Sequence, residues 1–286
     1  MALLVVMVVS AVCLIGYISS SIRAHQTEAE LQAMYGQEDR SAAGTQGMTE
    51  TPAPTSTPTP TATPDPTPTP APQILSAYQV MGTRVLPDLQ KLYGKNNEMV
   101  GYIKIPGGVV DAPVVYRNNT YYLNRDFYKR KSSAGALFLD ENHPLTAATQ
   151  NLLIYGHNMH DGTMFGHFGR YRRESYWQDN CFIRFSTLYS EEYYVIFAVL
   201  NVTLDPSSPR YVNFAGHPTF GSVREFDAYM EVLQAHTLHP WRIDVNASDA
   251  LLTLATCLDD ERVVLVARRA REGETMEGLT RQIMGY

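Results

Sequence analysis

The chain has 286 residues, 44% of them hydrophobic, and carries 23 Lys and Arg against 29 Asp and Glu for a net charge of −6. That is enough for one well-cored domain with chain to spare, and the absence of a basic block argues against a nucleic-acid partner. Three scattered cysteines, Cys13, Cys181 and Cys257, make no disulfide framework, so the two beyond the N-terminal apolar run read as free thiols.

In chain order, residues Ala2 to Ile18 are nearly all apolar and uncharged, and the run extends through serines to Ile22 before Arg23. About 20 apolar residues span a bilayer, so residues 1–22 read as a membrane anchor. A cleaved signal is disfavoured by the missing basic lead and the lack of a small-residue cleavage site. The run starts abruptly, and charge asymmetry gives no orientation. Residues 23–72 are expected to be a linker. Ala24 to Glu50 is polar, loosely ordered or a continued helix. Thr51 to Pro72 holds nine prolines in 22 residues. Such a stretch cannot build a core and favours extended polyproline II, with a reach of roughly 70 Å.

Residues 73–286 carry the domain. Ser76 to Tyr93 predicts one or two short helices, with Pro87 as a break. Strands are predicted at Val100 to Ile105, at Val109 to Val115, at Ala136 to Leu139 and at Leu152 to Tyr155. Pro113 marks the second of these as an edge or bulge, and Tyr121 to Leu123 reads as a helical turn. A helical stretch at Thr163 to Tyr171 precedes strands at Cys181 to Phe185 and Tyr193 to Val202. Arg224 to Gln234 sets Phe226, Tyr229, Met230 and Leu233 on one helical face. Two last strands, Ala250 to Cys257 and Val263 to Ala267, flank a short acidic loop. Many short strands and few helices argue for an all-β barrel with helical additions.

Cys257 ends one apolar strand and Arg262 opens the next, close enough to serve one site. A thiol needs a base or a positive field to become a nucleophile at neutral pH. His157, just past the strand ending at Tyr155, can supply the base. These three residues make a candidate acyl-transfer site. Cys181 has no such context and reads as a core residue. His157, His160 and His167 with Asp161 fit no standard zinc spacing, so no metal is assigned.

The segment Thr253 to Cys257 (TLATC), Arg262 ahead of Val263-Val264-Leu265-Val266-Ala267-Arg268, and Tyr155-Gly156-His157-Asn158-Met159 resemble the sortases. The resemblance covers roughly Gln73 to Arg269. The helical lead from Ser76 to Tyr93, the stretch Asn119 to Leu123 and the helix from Arg224 to Gln234 resemble class B in particular. Ala255 stands where class B often has serine, and Leu258 where some members carry an acid.

The resemblance implies a closed β-barrel of about eight strands. It would have an N-terminal helical segment and an extra helix before the last strands. It implies a membrane-tethered cysteine transpeptidase outside the cell membrane that needs no cofactor. Such an enzyme cuts a C-terminal sorting motif of an exported protein and passes the acyl group to a cell-wall amine. Cys257 would be nucleophile, His157 general acid and then base, and Arg262 the holder of the substrate carbonyl. Asn119, Leu123, Ala255 and Thr256 would border the substrate groove, and Asp259 is a candidate to orient His157. The alternatives are a pilin-polymerising sortase, a hydrolytic cysteine protease and a non-catalytic wall-tethered binding domain.

Overall fold

The computed structural model describes residues 2–35, 84–143, 149–256 and 261–286. Eight strands close into a barrel, as the sequence predicts. They are β1 (Met99–Ile105), β2 (Val110–Tyr116), β3 (Leu137–Leu139), β4 (Asn151–Gly156), β5 (Phe182–Thr187), β6 (Glu191–Thr203), β7 (Leu251–Thr256) and β8 (Glu261–Arg269). Around the barrel they run β1-β2-β3-β4-β7-β8-β6-β5. Closure removes the edges that would otherwise offer unpaired backbone groups. Six of the strand pairs are antiparallel, whereas β2–β3 and β4–β7 are parallel. A parallel pair needs a long crossover. That between β4 and β7 runs from residue 157 to 250 and carries β5, β6 and two helices.

Pro113 sits in β2 opposite Tyr102 of β1. On its other side β3 pairs only with residues 114–116, so the missing N–H leaves no ladder bond unmade. The expected edge character is therefore local, within a closed sheet. The irregularity lies in β1 instead, between Met99 and Gly101.

Pro87 does not break a helix; it starts one. Helix α2 (Pro87–Lys95) takes it as its first residue, where an N–H would have no partner in any case. Two further helices, α3 (Glu174–Asp179) and the C-terminal α5 (Met276–Met284), were not expected from the sequence. Between them in chain order lies α4 (Val223–His236). Ser222 caps it by accepting the Glu225 N–H at 3.2 Å, and the Glu225 carboxylate reaches back to the Gly221 N–H at 2.8 Å. Its predicted face holds: Phe226, Tyr229, Met230 and Leu233 are all buried in the core.

Helix α1 (Ala2–Met34) does not stop at Ile22. Residues 23–34 take the continued-helix alternative of the two expected for this stretch, and Ala24 and Leu31 are buried. Leu31 joins a cluster with Leu89, Leu92, Tyr102, Val115 and Tyr122, and Tyr35 stacks on Tyr102 with ring centres 4.0 Å apart. Earlier in α1 the apolar side chains stand in the open: Val6 is 62% and Ile15 64% exposed. Counting only described residues, no helix is long and apolar enough to cross a membrane. The Thr/Pro segment, 51–72, lies outside the described residues.

Candidate active site

The site begins with strand register. In the parallel pair β4–β7, Gly156 is opposite Thr256. These residues immediately precede His157 and Cys257, and paired strands lie about 4.8 Å apart. Cys257 and Asp259 themselves are outside the described residues. On the far side of β7, Ala255 pairs with Val264 of β8, which brings Arg262 to the same end of the barrel.

Each described member is held by backbone. The His157 ring presents Nε2 to the Leu123 carbonyl at 2.6 Å. A carbonyl only accepts, so Nε2 carries the proton and Nδ1 is the basic nitrogen. That Nδ1 is buried with no hydrogen-bond partner among the described residues. The Leu123 carbonyl sits in the short turn Tyr122–Asn124. Asn118 builds the approach to it, its side-chain oxygen accepting from the N–H groups of Thr120 and Tyr121. Tyr122 locks the turn from below, donating its hydroxyl to Glu98 at 2.7 Å and accepting from Asn96 at 2.9 Å. Gly135 passes so close that a Cβ there would lie 2.6 Å from the Tyr122 carbonyl and 3.0 Å from the His157 ring. Its φ of +65° also suits glycine.

Arg262 donates from Nη1 to the Thr256 carbonyl at 2.6 Å, and its Nε–H is buried without a partner among the described residues. Its sequence neighbour Glu261 pairs instead with Arg210, at 2.8 Å. Thr256 is itself buried and its hydroxyl accepts the Val263 N–H at 3.2 Å. Ala255 is fully enclosed in the barrel wall.

A groove of about 420 Å³ opens beside these groups, and Asn119, Leu123 and Arg262 all line it. Both ends of the Asn119 amide are already engaged: it donates to Asp140 at 2.8 Å and accepts the Glu141 N–H at 2.9 Å. Burial would push the Asp140 carboxyl up. Hydrogen bonds from His143, the Asn142 N–H and Asn119 outweigh that and hold it below the usual carboxylate range. Sequence reasoning missed the opposite wall, Leu204 and Tyr211 to Ala215, together with Phe138 and Tyr155 on the barrel side. The signal was there as Tyr211, Val212 and Phe214, a short apolar cluster in the loop after β6. Cys181 is buried in the core as expected, and burial pushes its thiol up to about 12.

No family model matches the chain. It is 28% identical over 190 residues to Sortase B of Listeria monocytogenes, covering 66% of this chain and 73% of that protein. It is 26% identical to Sortase B of Staphylococcus aureus, covering 64% and 75%. The barrel superimposes on crystalline sortase B of Bacillus anthracis with a TM-score of 0.61 at 27% identity, over 68% of this chain and 87% of that one. In sequence and in fold the chain is similar to the class B sortases. The closed mixed barrel with its N-terminal helices and the helix before the last strands is the sortase fold. These similarities support a sortase role for the chain, that of a transpeptidase.

Proposed function

We propose that the protein is a membrane-tethered cysteine transpeptidase whose nucleophile is Cys257. The observation that carries this reading is the pairing of Gly156 with Thr256, flanked by two buried polar groups without a partner among the described residues, His157 Nδ1 and Arg262 Nε–H. A proton acceptor and a fixed cationic donor left open at one barrel end suit an acyl-transfer centre, because unsatisfied buried groups are otherwise costly. The Cys257 thiolate adds to the scissile carbonyl of a sorting motif lying in the groove, forming the C–S bond. Arg262 donates to the developing oxyanion. As the C–N bond breaks, imidazolium His157 gives its proton to the leaving amine, and a thioacyl-enzyme remains. An acceptor amine of the cell wall then attacks, His157 takes its proton, and the C–S bond breaks. Asn119 and Leu123 contribute one polar and one apolar groove contact. Ala255 and Thr256, both buried, shape the floor through the backbone that leads to Cys257. Asp259 is the candidate to orient His157.

The exposed apolar half of α1 supports the tether, since a helix apolar all round is stable only when covered by lipid or protein. The partners would be exported proteins bearing a C-terminal sorting signal. The test is turnover of a panel of sorting peptides with and without an amine acceptor, followed by intact mass. Wild type should accumulate an acyl adduct that Cys257→Ala lacks, and the amine should raise turnover. Near-wild-type cleavage by Cys257→Ala would remove the thiol from the mechanism. Indifference to the amine would favour a hydrolytic protease.

A further inference from the structure

Beyond the apolar run, α1 grips the chain on both sides of His157. His157 opens a tight hairpin: its carbonyl accepts the Phe165 N–H at 2.9 Å, and Asn158 bridges Met164. Met164 has a φ of +53°, an unfavourable conformation for a side chain of its kind, so its surroundings must hold it. What holds it comes from α1. The Glu28 carboxylate accepts the Met164 N–H at 3.0 Å. At the hairpin tip, the Ser21 hydroxyl donates to Asp161 at 2.6 Å, while the other oxygen of Asp161 accepts from the Thr163 N–H and hydroxyl. Ser20 bonds Ser133, two residues from the Gly135 backbone that abuts His157. A cavity of about 220 Å³ lies beside these contacts, lined by residues of α1, by Ser132, by Ala134 to Leu137 and by Met164.

We propose that residues 20–31 of α1 are a positioning element of the acyl-transfer site, clamping the hairpin 157–165 through Ser21 and Glu28 and thereby setting the ring of His157. The proposal rests on the assignment of His157 given above. It makes the segment next to the tether a part of the active-site support: catalysis is tuned by whether α1 is docked. Glu28 needs only to accept one N–H, so a side-chain carbonyl suffices and charge does not. This separates a positioning role from an electrostatic one.

The experiment is steady-state kinetics on the full chain in detergent, with the Nδ1/Nε2 titration of isotopically labelled His157 followed by NMR. Glu28→Ala should lower kcat roughly tenfold to a hundredfold with KM little changed, as expected when a reacting group is misplaced by about 1 Å. It should also move the His157 titration. Glu28→Gln should restore both. Ser21→Ala tests the same clamp at its other end and should lower kcat in the same sense; it serves if Glu28→Ala folds poorly. Wild-type kcat and an unmoved His157 titration in both alanine variants would overturn the proposal. A merely structural contact would lower the melting temperature and leave kcat and the titration in place. Full activity in His157→Ala would instead sink the functional assignment itself, whatever the α1 variants do.

Discussion

At the scale of single residues, the two described polar members of the site differ in what they ask of a substitution. Arg262 already spends one guanidinium N–H on the Thr256 carbonyl at 2.6 Å and keeps Nε–H free of partners among the described residues. A planar fork can do both at once, whereas an ammonium on a flexible stem cannot reproduce that geometry. Arg262→Lys should therefore lose on the order of a hundredfold in turnover, the scale of one lost oxyanion donor, and Arg262→Ala more. Near-normal turnover in the Lys variant would reduce Arg262 to a source of positive potential. The two thiols of the domain are distinguished by environment. Burial holds Cys181 protonated far above neutral pH, its thiol pushed up to about 12. Iodoacetamide at pH 7.5 should leave Cys181 unmodified in the native protein while it labels Cys257. Peptide mapping of the alkylated chain reads this directly, and rapid labelling of Cys181 would contradict its burial.

At the scale of elements, the long crossover from β4 to β7 explains both the groove and the missed residues. The loop after β6 folds back along the barrel, with Thr203 bridging Tyr211 and Arg210 paired to Glu261 at the start of β8. It walls the groove only because β6 and β8 are neighbours, which no local pattern announces. The C-terminal α5 is tied in differently. Arg268 of β8, fully buried, is held by the Glu274 carboxylate through two hydrogen bonds of 2.6 Å, just ahead of that helix. Glu274→Gln should cost about 3 kcal/mol, because a buried guanidinium loses its counter-charge. Urea denaturation measures this. The Arg268 guanidinium beside Glu274 holds its carboxyl below the ordinary range, so the pair stabilises above that range. Its contribution is lost as pH falls through the folded value, and the gap between variant and wild type should close in acid. A gap that stays constant from pH 7 to below the carboxylate range would show that the ion pair is not its source.

At the scale of the whole molecule, one barrel carries the site and α1 joins it to the apolar run. The site's strands β4 and β7 are paired between Asn151 and Leu251, far apart in the chain. Such contacts slow folding, because their loop-closure entropy must be met before they form. The docked half of α1 adds to this barrel. Leu31→Ala in the full chain should cost about 2 kcal/mol and lower the melting temperature by roughly 4–8 °C. Val6→Ala, at an exposed position, should leave the barrel's transition where it is. Equal melting of the Leu31 variant and wild type would mean that α1 is not docked in solution.

Most of the elements were legible in the sequence, because runs such as Val263 to Ala267 and the face Phe226, Tyr229, Met230 and Leu233 carry their periodicity in adjacent residues. The barrel could be read from the many short strands, the sortase resemblance from the TLATC segment and the arginine that follows it, and its class B character from Asn119 to Leu123 and the helices at Ser76 to Tyr93 and Arg224 to Gln234. Pro87 was misread because proline both breaks a helix interior and starts a helix, and only the surrounding backbone tells which. The helix from Arg23 to Met34 is polar by composition, and its stability comes from Ala24 and Leu31 packing against distant residues, a contact without local signature. The parallel pairing of Gly156 with Thr256, the donor bond from His157 to Leu123 and the groove wall at Tyr211 to Ala215 likewise depend on which strands become neighbours. The sequence by itself determined which residues have the chemistry and which segments can be strands, because those are properties of side chains and their spacing. The tertiary structure alone decided which of them meet, because that is set by long-range packing and closure of the sheet.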